Sequence, residues 1–151
     1  TSDWSSDVCS SDLFGYSSSG FTDMPMNHKV FLAQFDAIKK LASEGPCVMV
    51  GRCADYALSE YKDCFSVFVH ADTDWRINRL SQKHNKTAKE AKDMINKTDK
   101  SRSSYYNYYT NKKWGAASSY NLCVDSSKLG IDGAAKAIIQ AIEIFDSIKN
   151  K

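Results

Sequence analysis

CFSVFVH, residues 64–70, is a short stretch in which apolar side chains follow one another almost without a break. It is too brief for a stable helix, and it lacks the apolar–polar alternation of a half-exposed strand. That combination predicts a strand buried on both faces, as inside a parallel sheet. CVMVG (47–51) and NLCVD (121–125) have the same character and predict two more. The intervening and flanking segments carry helical spacing instead. HKVFLAQFDAIKKLASEG sets Phe31, Phe35, Ile38 and Leu41 on one helical face from about Asn27, and Gly45-Pro46 stops it. A helix is expected from about Thr73 and a longer one from about Ala88, opened by the capping box Thr87-Ala-Lys-Glu90. The last helix, from about Asp132, places Ala135, Ile138, Ile142, Phe145 and Ile148 on one side. Strands alternating with helices point to an α/β domain with a parallel sheet.

The chain has 151 residues, the size of one ordinary domain. Its formal charge of +2 is too small to imply nucleic-acid binding from the total alone. No apolar run reaches the roughly 20 residues of a membrane span, and no signal peptide is visible. None of the five cysteines forms a CxxC or stands at zinc-ligand spacing to a histidine. Cys47, Cys64 and Cys123 lie in or beside apolar runs and read as small hydrophobes, so a reduced, cytoplasmic setting is expected.

The N-terminus reads differently. Residues 1–13, TSDWSSDVCSSDL, are rich in Ser and Asp and have no periodicity. DWSSDVCSSDL resembles the in-frame translation of a sequencing-adapter oligonucleotide; the alternative is a natural Ser/Asp tail. We expect residues 1–13 to be non-native and residues 14–26 to be a flexible linker before a domain over 27–151. Within the linker, GYSSSGFT (15–22) has the outline of a phosphate loop, GxxxxGK[ST], but Phe21 occupies the lysine position. A working loop follows a buried strand and opens a helix. No strand precedes Gly15, and Pro25 is expected to interrupt any helix start after Thr22.

Three features carry chemistry. VGRC (50–53) puts Arg52 past the carboxyl end of an expected strand, the edge where open α/β sheets bind ligands; the alternative is a surface arginine paired with Asp55. From Arg76 to Lys113 there are eleven Lys or Arg against three Asp or Glu, enough to neutralise polyphosphate or simply to form a solvated face. TDKSRSSYYNYYTNKKWG (98–115) sets four tyrosines and a tryptophan among basic residues. On a helix Ile95, Asp99, Arg102 and Tyr106 share a face, so Asp99 is expected to orient Arg102 as a phosphate-binding fork. The tyrosines are expected to pack against the domain body in preference to stacking on bases.

VMVGRCADYAL, FVHADTDWRINRL, KTDKSRSSYYNYYTNKKWG and LCVDSSKLGID together resemble the cytidylate kinase-like family, from about Lys29 to Ile148. The most specific block is TDK-x-R-x-x-YY-x-YYT. The resemblance implies a P-loop-type parallel sheet flanked by helices, with a basic lid over about 86–115. It implies transfer of the ATP γ-phosphoryl group, with magnesium, to a nucleoside monophosphate, CMP or dCMP in preference. Lys97, Asp99 and Arg102 match the lid and would be catalytic, while Arg52, Arg76, Arg79 and Lys100 would bind substrate phosphates. No metal ligand is assigned. In related cytidylate kinases an acidic residue follows the GR pair, where this chain has Cys53. The family's first, central strand and its glycine-rich loop have no counterpart in these residues, so the chain is expected to be an inactive fragment of a kinase. The other readings are a non-enzymatic nucleotide- or RNA-binding module and a kinase of another small acceptor.

Overall fold

A computed structural model describes residues 24–149, with side chains from His28 onward. The expectations for residues 1–13 and for GYSSSGFT lie outside the described residues. Helix α1 spans Met24–Glu44. It begins three residues earlier than the linker boundary and takes Pro25 into its first turn. Proline fits there, because first-turn N–H groups have no intrahelical acceptor to lose. Gly45-Pro46 ends the helix as expected. The chain divides into two units between Ala33 and Gln34. Of the first, the described part is the start of α1, where the His28 and Phe31 rings stack at 6.5 Å. All that follows concerns the second.

Next come α2 (Ala54–Ala57), β1 (Val67–His70), α3 (Thr73–His84), α4 (Ala88–Thr110), β2 (Leu122–Asp125) and α5 (Ser126–Lys149). Two of the three expected strands form, but β1 is half-buried to exposed along its length and not buried on both faces as expected. β1 and β2 pair in parallel, with Val67 opposite Leu122 and His70 opposite Asp125. Parallel neighbours need a crossover, and α3 and α4 supply it. The architecture is therefore helix-rich with a small parallel sheet, within the α/β class. CVMVG is the exception. Residues 47–50 form no strand, because an extended segment becomes one only when a neighbour takes up its backbone groups, and the described sheet holds β1 and β2 alone. Val48 is 94% exposed and Val50 77%. Cys47, read as a buried small hydrophobe, is exposed with them.

Local chemistry explains the joints. Ser66, just before β1, donates from its N–H and its hydroxyl to Asn121 Oδ1, at 2.8 Å each, and so fixes the strand register at its start. At the other end Ser126 Oγ donates to the His70 carbonyl at 3.1 Å, and the Asp72 N–H donates to Ser127 Oγ at 3.2 Å. The Thr87–Glu90 capping box forms in full, with the Glu90 N–H donating to Thr87 Oγ1 and the Thr87 N–H to Glu90 Oε2. The last helix starts at Ser126, earlier than the expected Asp132. Gly130 (φ 69°, ψ 175°) breaks it, and the long segment follows that kink.

α5 packs along both strands, and α3 packs on α4. The far end of α5 is held by Phe145 against Phe65 (ring centroids 5.1 Å apart) and by an ion pair between Lys149 and Asp63. An aromatic cluster closes the open face of β1. The Phe68 ring lies 5.4 Å from Trp114, edge to face, and 5.0 Å from Tyr120, whose ring stacks 6.3 Å from Tyr106. Gly115 permits this approach: it holds φ +76°, and a Cβ there would stand 3.1 Å from the Phe68 ring.

Gly115→Ala should therefore destabilise the fold by about 1–3 kcal/mol, from a strained backbone and a displaced ring. Urea denaturation followed by tryptophan fluorescence checks this; an unchanged midpoint would show that the aromatic cluster does not depend on the close approach.

Candidate functional site

The turn before α2 is unusual. Gly51, Arg52 and Cys53 take φ values of 71°, 57° and 56° in succession. For L-residues each such conformation costs roughly 1–2 kcal/mol, so the surroundings must hold it. They do so from below. The Cys53 side chain is 4% exposed, and Ala54, Ala57 and Leu58 are buried beside it. The Cys53 carbonyl accepts from the N–H groups of Tyr56 and Ala57, both at 3.0 Å. Burial first, and the Asp55 carboxylate second, push the Cys53 thiol up to about 11. Residue 53 is thus a neutral core side chain, and it cannot offer a base the charged acceptor that an acidic residue would. Arg52, one position earlier in the same turn, is half-buried.

α4 meets this turn through its tyrosines. Tyr106, 5% exposed, donates its hydroxyl to Asp55 Oδ2 at 2.7 Å. Burial, the bond to Asp55 and a second bond with Tyr120 raise the Tyr106 phenol far above its ordinary range, so it stays a donor. Tyr105 donates to Gln34 Oε1 at 3.1 Å. Burial, then the Cys53 and Tyr109 groups, push Tyr105 up to about 12, with the Arg52 guanidinium pulling the other way. Body packing, the expected role for the tyrosines, holds fully for Tyr106. Tyr108 is 61% exposed.

One helical turn or two toward its N-terminus, α4 carries the expected lid charges. Ile95 is buried and Asp99 half-buried, as their shared face requires. The partner of Asp99 differs from expectation. Its two oxygens take Nη1 and Nη2 of Arg76, on α3, at 2.7 and 2.8 Å, instead of orienting Arg102 one turn ahead. A guanidinium matches both oxygens of a carboxylate at once, and the packing of α3 on α4 brings that match within reach. Arg76, expected to bind phosphate, is thereby a strut between the two helices. Arg79 lies over the Trp75 ring at 5.5 Å. Lys97, Lys100 and Arg102 are exposed along α4. Asp99 and Tyr106 are seven residues apart, about 10 Å along the helix axis. α4 therefore spaces the Arg76–Asp99 pair from the Asp55–Tyr106 bond by that length.

At the carboxyl end of β2, Asp125 Oδ1 accepts from the N–H and hydroxyl of Ser127, and the hydroxyl bond above all holds the Asp125 carboxyl below the usual range. The D-S-S sequence carries a local signal for such a turn. The Asp55–Tyr106 bond had no local signal: its partners are 51 positions apart. Among the described residues no three His, Cys, Asp or Glu side chains cluster as they would around a metal ion held by protein ligands alone. No described helix is long and apolar enough to cross a membrane.

A sequence profile of the cytidylate kinase-like family matches residues 2–128, and the chain belongs to that family. The match starts well before Lys29 and stops before Ile148, the limits expected for the resemblance. Among solved structures, the chain is similar to an uncharacterized protein from Eubacterium ventriosum. The two are 33% identical, with a TM-score of 0.74, over 78% of this chain and 74% of the other. A search of curated proteins gave no match.

The Arg76–Asp99 strut should be measurable. Its side chains are 32% and 26% exposed, so solvent screening keeps the coupling near 1 kcal/mol. A double-mutant cycle of Arg76→Met and Asp99→Asn, read by urea denaturation, should return about that value. Additive effects would show that the pair contributes no mutual stabilisation.

Proposed function

We propose that this member of the cytidylate kinase-like family carries the acceptor site and lid of a nucleoside monophosphate kinase, with CMP or dCMP as the favoured acceptor. The reaction class is attack of an acceptor phosphate oxygen on the terminal phosphorus of ATP, with ADP leaving. Such transfer depends on in-line positioning and on positive charge around the moving phosphoryl group more than on covalent help. The observation that carries the reading is the strained Arg52 turn, joined to α4 through the Asp55–Tyr106 bond, in a chain of this family.

In this reading Arg52 holds the acceptor's monophosphate. Arg102, Lys97 and Lys100 lie along α4 on the donor side and neutralise charge as phosphates approach. Asp99 acts indirectly: it locks Arg76, and so sets how α4 lies on α3. Arg79, at the next turn of α3, adds to the same field.

The donor side is different. A triphosphate needs backbone N–H groups at a helix start and a lysine. GYSSSGFT is the sequence's sole outline of such a loop, and it has Phe21 where the lysine belongs. Without that lysine the residues in hand do not fit the ATP triphosphate, and no step is routed through it. We therefore propose that the 151-residue chain alone does not transfer phosphate, and that activity needs a further strand bearing a glycine-rich loop. Val48 and Val50, exposed and joined to no strand among the described residues, support a place for that strand beside residues 47–50.

Release of ADP in a coupled assay tests both parts. The chain as given should release none above the rate without protein, whether offered CMP, dCMP or UMP. A version preceded by a strand ending in GxxxxGKS should release ADP with CMP and dCMP. Turnover by the unextended chain would contradict its inactivity, and an extended chain that accepts none of the three would contradict the acceptor class.

A further inference from the structure

The segment after the Arg52 turn carries three carboxylates, Asp55, Glu60 and Asp63, and the fold uses two of them. Asp55 accepts the Tyr106 hydroxyl, and Asp63 pairs with Lys149. Glu60 is exposed, and its carboxylate enters no ion pair or hydrogen bond among the described residues. It borders an open cavity of about 150 Å³ between α1 and the α2 segment. Phe35 and Lys39 line that cavity from α1, and Tyr56, Ala57 and Ser59 from α2 and the turn after it. The Phe35 and Tyr56 rings meet edge to face at 6.2 Å, and Ala57 is buried. The Lys39 ammonium stands 4.7 Å from the centre of the Phe35 ring. A ring face attracts an ammonium without replacing a hydrogen-bond acceptor, so the N–H groups of Lys39 remain donors. The cavity wall and the Arg52 turn are one local unit, because the Tyr56 and Ala57 N–H groups both donate to the Cys53 carbonyl at 3.0 Å. Four residues of fully extended chain span at most about 14 Å, so Tyr56 lies within that distance of Arg52.

We propose that this cavity holds the cytosine ring of the acceptor, with Glu60 accepting from its N4 amino group and Lys39 donating to its O2 carbonyl. This names the residues that read the base at the acceptor site of the preceding section, and it rests on that reading. A cavity of roughly 150 Å³ has room for one six-membered ring. Its walls supply aromatic surface, and its rim supplies one acceptor and one donor of opposite charge. Cytosine has the matching pair: N4 donates, and a carboxylate is the side chain suited to accept from it. Uracil carries O4 at that place, a second acceptor, which a carboxylate repels. The chemistry of residue 53 points the same way. A buried, neutral thiol cannot accept from N4 as a carboxylate would, and Glu60 brings a carboxylate to the same segment two turns later.

The test is isothermal titration of the 151-residue chain with CMP, with UMP and with ribose 5-phosphate, which has the phosphate and no base. CMP should bind on the order of tenfold more tightly than UMP, the usual worth of one hydrogen bond to a charged group. Glu60→Gln, whose amide can turn its N–H₂ toward O4, should erase that preference by weakening CMP and strengthening UMP. Lys39→Met keeps the apolar stem over Phe35 and should weaken CMP and UMP alike. Neither substitution should change the affinity for ribose 5-phosphate, and that constancy guards against loss of fold as the cause. If the unaltered chain binds CMP no better than UMP, or Glu60→Gln keeps the preference, the cavity does not read the base, while the acceptor reading stands. If the unaltered chain binds no CMP, both fall.

Discussion

The hydroxyl of Tyr106 on the carboxylate of Asp55 is the contact from which the rest of the site follows. It joins the C-terminal part of α4 to the first turn of α2, two segments 51 residues apart in the chain. Three consecutive left-handed residues would not persist on an open surface, because the strain of Arg52 and Cys53 needs an external clamp. Cys53 supplies it from below by burial, and α4 supplies it from the side through Tyr106. A partly buried hydrogen bond to a charged group is worth roughly 1.5–3 kcal/mol, comparable with the strain it offsets. Position follows from that balance. Arg52 is held where the backbone would otherwise relax, and α4 spaces the basic residues it carries.

The same helix couples the site to the sheet. Tyr106 stacks on Tyr120, Tyr120 on Phe68, and Phe68 lies in β1. A shift of α4 would thus be felt at the strand that ends in His70, beside the Asp125–Ser127 turn. α3 adds the second restraint, through the Arg76–Asp99 fork. α4 is thus braced at two points, while Lys97, Lys100 and Arg102 stay exposed along it.

What could be read from the sequence is what depends on neighbours in sequence. β1 and β2 were legible as short apolar runs, and the start of α4 was legible from Thr87 and Glu90, because each signal is complete within a few residues. CVMVG carries the same apolar signal and forms no strand, since a strand exists only through its partner. Asp99 was placed on the correct face of its helix but given the wrong arginine. The spacing to Arg102 is a property of one helix, whereas the bond to Arg76 depends on how two helices pack. The left-handed turn at Arg52 and Cys53 had no signal at all, for neither residue type favours that conformation and the support comes from α4. Cys53 looked like a substitution in a recognition position, and burial shows it as part of the core.

The central claim is that the Arg52 turn and α4 form one acceptor site, and hydrogen–deuterium exchange with and without CMP tests it most directly. The account predicts that CMP slows exchange together in residues 51–57 and 99–109, with α5 unchanged. Protection confined to one of those two segments, or appearing along α5 instead, would contradict it.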